Sequence, residues 1–126
     1  MNDIFDALKN NGKARIIQEL VPGKQITLAH IIANPDPVLY TKLGLDPARD
    51  YKTSAIGIIT LSPAETAIIA GDIATKASGA QLGFVDRFSG TLIVTGSVSQ
   101  VSEAVAAVTA YASETLGFTV CPITKT

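Results

Sequence analysis

Between Ala55 and Val105 the rhythm of apolar and polar positions changes repeatedly, and each change predicts an element. Ala55–Leu61 is a short apolar run with Ile56, Ile58 and Ile59, stopped by Ser62-Pro63, and it reads as a buried strand. Ser62-Pro63-Ala64-Glu65 has the form of a capping box, with Ser62 as N-cap and Glu65 reaching back to it. The helix expected next carries Ile68, Ile69 and Ile73 among Ala64, Ala67, Ala70, Gly71, Ala74 and Ala77, with Gly79 as its stop. That many small residues let a helix lie very close to a sheet. Gln81–Asp86 alternates, placing Leu82 and Phe84 on one face and Gly83 and Val85 on the other. Arg87-Phe88-Ser89-Gly90 supplies a turn and Thr91–Thr95 returns, which is a hairpin. Ser97-Val98-Ser99-Gln100 is a second capping box, in its Gln form. Val101, Val105, Val108 and Ala112 then recur at helical spacing. The order is that of a split βαβ sandwich, an α/β (α+β) fold with helices on one face of a ferredoxin-like antiparallel sheet.

Upstream, Arg15–Val21 is strand-like and closed by Pro22-Gly23. By pattern alone it is a candidate edge strand. Lys24–Ala33 is a better strand, expected to put Ile26, Leu28, His30 and Ile32 on one face. Pro37–Leu43 reads as a short helix ended by Gly44, and Asp46–Thr53 as a polar connection. Met1–Ala14 has Ile4, Phe5 and Leu8 at helical spacing before Asn10-Asn11-Gly12. It reads either as a flexible tail or as a short amphipathic docking helix.

These residues carry a resemblance. The AIGIIT opening at Ala55–Thr60, the Asp72…Lys76-Ala77 helix end, the Gly83-Phe84-x-Asp86-Arg87-Phe88-Ser89-Gly90 turn and the Thr95-Gly96-x-Val98 step together resemble the shell domain of bacterial microcompartments. The match is closest to its circularly permuted branch, found in ethanolamine-, propanediol- and choline-utilisation shells. It extends over roughly Arg15 to Thr126, leaving 1–14 as a tail. The resemblance implies that the strand Ile26–Ala33 and the helix after Pro37 are the final elements of the unpermuted domain moved to the front. Phe118–Thr126 is then an extra terminal segment, strand-like and at an edge. It also implies that Arg15, Ile16, Ile17, Gln18, Glu19 and Leu20 gather around an oligomer axis as a parallel barrel that occludes a central pore.

Three further assignments follow from the resemblance, the first two with a plainer alternative. Lys76, paired with Asp72, matches the edge lysine through which neighbouring hexamers pack; otherwise it is a solvated cation at a helix end. Arg87, Phe88, Ser89 and Gly90 match the loop around the pore; otherwise they form an ordinary hairpin turn. Pro35 and Asp36 lie in Asn34-Pro35-Asp36-Pro37, where unpermuted proteins usually carry a Pro-Arg-Pro edge motif. Asp36 stands in the place of the arginine.

Composition narrows the picture. In 126 residues, hydrophobic content is 47% and charged content 17%, the balance of a packed, self-associating domain. Ten Lys and Arg face eleven Asp and Glu, and no basic run suggests nucleic acid. No stretch is long enough to span a membrane, and Met1–Ala14 lacks the apolar block of a signal peptide. Cys121 is the only cysteine and His30 the only histidine, so neither a disulfide framework nor a metal or catalytic cluster is expected. His30 reads as a hydrogen-bonded residue in or beside the core. Phosphate loops and nucleophile elbows are absent from the chain. The expected function is thus structural and non-enzymatic, with no cofactor. The chain is expected to be a hexamer subunit in a microcompartment shell in the bacterial cytoplasm, its partners copies of itself, other shell proteins, and encapsulated or shell-associated enzymes. A metabolite-binding regulatory domain of ferredoxin-like fold is the alternative.

Overall fold

The computed structural model describes residues 23–49 and 54–126. Arg15–Leu20 and the 1–14 segment lie outside the described residues. In chain order the elements are β1 (Gln25–Ile32), α1 (Val38–Lys42), β2 (Ala55–Ser62), α2 (Thr66–Ala77), β3 (Gln81–Asp86), β4 (Thr91–Gly96), α3 (Val98–Glu114), β5 (Thr119–Val120) and β6 (Thr124–Lys125). The sheet order is β3-β4-β2-β1-β5, with β6 also on β1. β1, β2, β4 and β3 pair antiparallel, and the two short strands join β1 in parallel. Phe118–Thr126 therefore sits at the sheet's edge, as expected.

Two helices cover one face. Ile26, Ala29, Ile31, Ala55, Ile59, Leu61, Leu92 and Val94 from the sheet meet Ala67, Ala70 and Ala74 of α2 and Val101, Ala104, Val105, Val108 and Ala112 of α3. α2 buries Thr66, Ala67, Ala70, Gly71 and Ala74. With only small side chains between them, helix and sheet approach closely; a Cβ at Gly71 would already touch Leu82 at 3.4 Å. The expectation of helices on one face needs one addition: α1 covers part of the other, where Tyr40 and Leu45 bury Ile56 and Ile93. Gly44, in the left-handed region at φ +73°, ends α1 as expected.

Two bulges overturn the simple alternation. In β1 the register slips between Ile26 and Leu28, so Ile26, Ala29 and Ile31 face the helices while Leu28, His30 and Ile32 face away. In β3 it slips between Leu82 and Phe84. Leu82 and Val85 then share the α2 face, opposite Val94 and Leu92, and Phe84 lies on the other beside Gly83. An extra residue in one strand shifts every later side chain to the opposite face.

The two capping boxes fare differently. Ser97 caps α3: its hydroxyl accepts from the Gln100 N–H at 3.1 Å, and the Gln100 side-chain oxygen accepts from the Ser97 N–H at 2.9 Å. Ser62 does not cap α2. It is the last residue of β2, paired with Gln25, and is followed by a cis peptide to Pro63; Glu65 stands at the N-cap without a side-chain bond. The ladder holds Ser62 away from the helix start. Gly79 is not the helix stop either. Ser78 ends α2 in extended conformation, and Gly79 is small because the Gln100 amide lies where a Cβ would sit.

Candidate functional site

The turn between β3 and β4 is organised by one carboxylate. Asp86 accepts from the Phe88 N–H at 2.9 Å and from the Ser89 hydroxyl at 2.8 Å. Ser89 also reaches Thr91 Oγ1 at 3.2 Å. The Gly90 N–H donates to the Asp86 carbonyl at 2.9 Å, and the Gly90 carbonyl accepts from the Leu61 N–H at 2.8 Å, which ties the turn to the end of β2. Three of the four residues read as a pore loop, Phe88, Ser89 and Gly90, are thus tied to Asp86. The tip of the turn is exposed: Phe88 is 81% accessible, with the Arg87 guanidinium stacked over its ring at 4.9 Å.

The bond from the Phe88 N–H, then that from the Ser89 hydroxyl, hold the Asp86 carboxyl below its usual 3.8. A folded-state pKa below the unfolded one stabilises the fold above the unfolded value, and that stabilisation is lost as pH falls through the folded one. Ser89→Ala is expected to raise the Asp86 pKa toward its ordinary value, read by carboxyl NMR titration; an unchanged titration would show that the hydroxyl does not hold the carboxylate.

Beside the turn lies an open groove of about 380 Å³, lined by Ile68, Val85, Asp86, Arg87 and Phe88. Its apolar wall comes from an inversion in α2. The helix turns its alanines inward and leaves Ile68 and Ile69 53% and 47% exposed. Leu82, Phe84 and Val85 are also substantially exposed along β3, the sheet's open edge. Apolar side chains concentrated on an edge strand and an adjoining helix face mark an association surface.

The other predicted site residues lie elsewhere. Lys76 and Asp72 form an exposed ion pair at 2.9 Å in the last turns of α2. Pro35 is buried, whereas Asp36 is exposed and its carboxylate accepts from the Val38 N–H at 3.0 Å, steadying the start of α1. Asp36 is thus engaged with its own chain. The assigned barrel residues Arg15–Leu20 lie outside the described residues. Among the described residues, no group of three or more His, Cys, Asp or Glu converges, and no helix is long and apolar enough to cross a membrane. The exposed isoleucines of α2 are the candidate feature that sequence reading passed over. Their signal was present, since the alanines and Gly71 fill the inward positions at helical spacing.

These features define a small α+β domain with an uncovered apolar surface along one edge. The BMC domain model matches residues 55–124, and the chain belongs to that family, in its circularly permuted form: β1 joins the sheet, and α1 covers part of its far face, from in front of the matched segment. The chain is 54% identical over 112 residues to the bacterial microcompartment shell protein PduU of Salmonella typhimurium, covering 89% of this chain and 93% of the relative. It is 51% identical over 113 residues to the shell protein EutS of Escherichia coli, covering 90% and 97%. Among solved structures, the CutR flat hexamer superposes with a TM-score of 0.76 at 44% identity, over 84% of this chain and 94% of that one.

Proposed function

We propose that this chain is a structural subunit of a bacterial microcompartment shell, assembling as a cyclic hexamer that tiles with its neighbours. The carrying observation is the inverted helix α2, whose isoleucines join Val85 and Phe88 in an uncovered apolar surface at the sheet's open edge. Such a surface on one side of a subunit fits a heterologous contact, which closes into a ring when the rotation permits. The shell-protein relatives and the hexameric structural neighbour support the same reading.

Within this reading, Arg87–Gly90 faces the ring's central opening and Lys76 with Asp72 lies on the outer rim. Pro35 and Asp36 belong to the same rim. Asp36 offers a carboxylate where an arginine is usual, so its contact with a neighbour differs. Arg15–Leu20, which lie outside the described residues and are closed in the sequence by Pro22-Gly23, are proposed to pair around the axis as a parallel barrel, since rotation keeps every copy pointing the same way. The role is enclosure without catalysis, with other shell proteins and enclosed enzymes as partners. Its place is the shell within the cytoplasm.

Lys76→Ala tests the rim assignment. The ion pair is exposed on both sides, so its loss should change stability by less than about 1 kcal/mol and leave rings intact. Electron micrographs of the variant should show extended layers lost or rearranged. Unchanged layers would remove Lys76 from the rim.

A further inference from the structure

His30 sits on the face of β1 away from the large helices, and both its ring nitrogens are engaged. Nδ1 lies 2.6 Å from Thr124 Oγ1 and Nε2 lies 2.9 Å from Thr126 Oγ1. Each ring nitrogen thus has a hydroxyl partner, which can accept from it or donate to it. Thr124 Oγ1 also lies 3.4 Å from the Ala29 carbonyl. Both threonines belong to the segment Pro122–Thr126, in which every residue is exposed. Its one large apolar side chain, Ile123, is 40% exposed and belongs to neither core cluster. It is attached by backbone pairing, with the Thr126 N–H donating to the Ile31 carbonyl at 2.9 Å and the Ala33 N–H to the Thr126 carbonyl at 3.2 Å. The preceding residues are anchored differently: Phe118 is 8% exposed, and Val120 and Cys121 pack against the main core.

We propose that His30 is the latch of a strap formed by Pro122–Thr126. The strap closes the outer edge of β1 and lifts as a unit when the imidazole is removed, while the rest of the sheet stays folded. The physical basis is the division at Cys121. Up to that residue the segment is held by buried side chains; beyond it, two-point pairing to one ring supplements a few backbone bonds. An edge strand without such a cover presents unpaired N–H and C=O groups to any passing strand. The latch thus keeps β1 from offering an open edge, a role independent of the shell assignment.

Cys121, half-buried and packed against the core, lies on the anchored side of the division and serves as an internal reference. In the full-length chain, His30→Ala should raise the rates of hydrogen exchange at the Ala33 and Thr126 amides about tenfold to a hundredfold, while alkylation of Cys121 by iodoacetamide stays as in the parent. That is the scale of losing two ordinary hydrogen bonds. The double variant Thr124→Val with Thr126→Val keeps the imidazole and should reproduce both changes. Exchange at Ile59 and Val94, in the central strands, should stay as in the parent. The proposal is overturned if either exchange rate is unchanged in the folded variants. It is equally overturned if Cys121 alkylation or the central strands speed up alongside, because the strap would then not open as a separate unit.

Discussion

Gly90→Ala is expected to destabilise the folded chain by about 3 kcal/mol, more than any change on the exposed surface. Two independent effects add. Gly90 has φ +80°, where a side chain costs about 1 kcal/mol or more. The new methyl would also collide with the Leu61 carbonyl oxygen and press on the Ala64 Cα at 3.2 Å. Both obstacles are backbone, and neither yields easily. Moving the turn away would break the bond from the Leu61 N–H to the Gly90 carbonyl at 2.8 Å. The melting temperature, compared at equal protein concentration, should fall by on the order of 10 °C. A shift smaller than about 2 °C would show that the turn is not pinned to β2.

Gly57→Val should be similarly severe for a different reason. Gly57 lies on β2 beneath α3, where even a single added Cβ would stand 2.8 Å from Val101 Cγ1, 2.9 Å from Val94 Cγ2 and 3.1 Å from Val105 Cγ2. Those three valines are buried and interlocked, so α3 would have to move off the sheet. Overpacking of this kind costs about 1–3 kcal/mol for modest insertions, and a branched side chain lies at or above the upper end. Gly71→Ala is the matched control. Its Cβ meets nothing closer than 3.4 Å, and alanine favours a helix over glycine by about 1 kcal/mol. Urea titration should therefore show Gly57→Val far less stable and Gly71→Ala unchanged or more stable. Equal losses in both would mean that closeness of approach at Gly57 does not decide the outcome.

Much of the architecture was legible because local signals agreed with the fold. The hairpin at Arg87–Gly90, the Ser97 cap, the short helix before Gly44 and the two central strands all follow from spacing and turn chemistry. What was not legible came from pairing between distant segments. Neither bulge has a strong local mark, yet each sends side chains to the face opposite the one alternation gives, as with Leu82 and Val85. Ser62 matched a cap motif but was claimed by its ladder with Gln25. The site shows the same division. Arg87–Gly90 could be recognised as a unit, whereas the partners of His30 lie 94 and 96 residues away and no spacing rule joins them. Lys76 and Asp72 were correctly paired because they stand one turn apart on a helix. Ile68 and Ile69 show how an apolar residue can be read in the sequence while its destination, outward rather than inward, is set by the size of its neighbours.

The claim that this chain forms a shell hexamer is tested most directly by its mass in solution. Light scattering or sedimentation of the purified full-length chain at micromolar concentration should give six times the 13.1 kDa of one chain, without any added ligand. A species of one or two chains across that range would contradict the account.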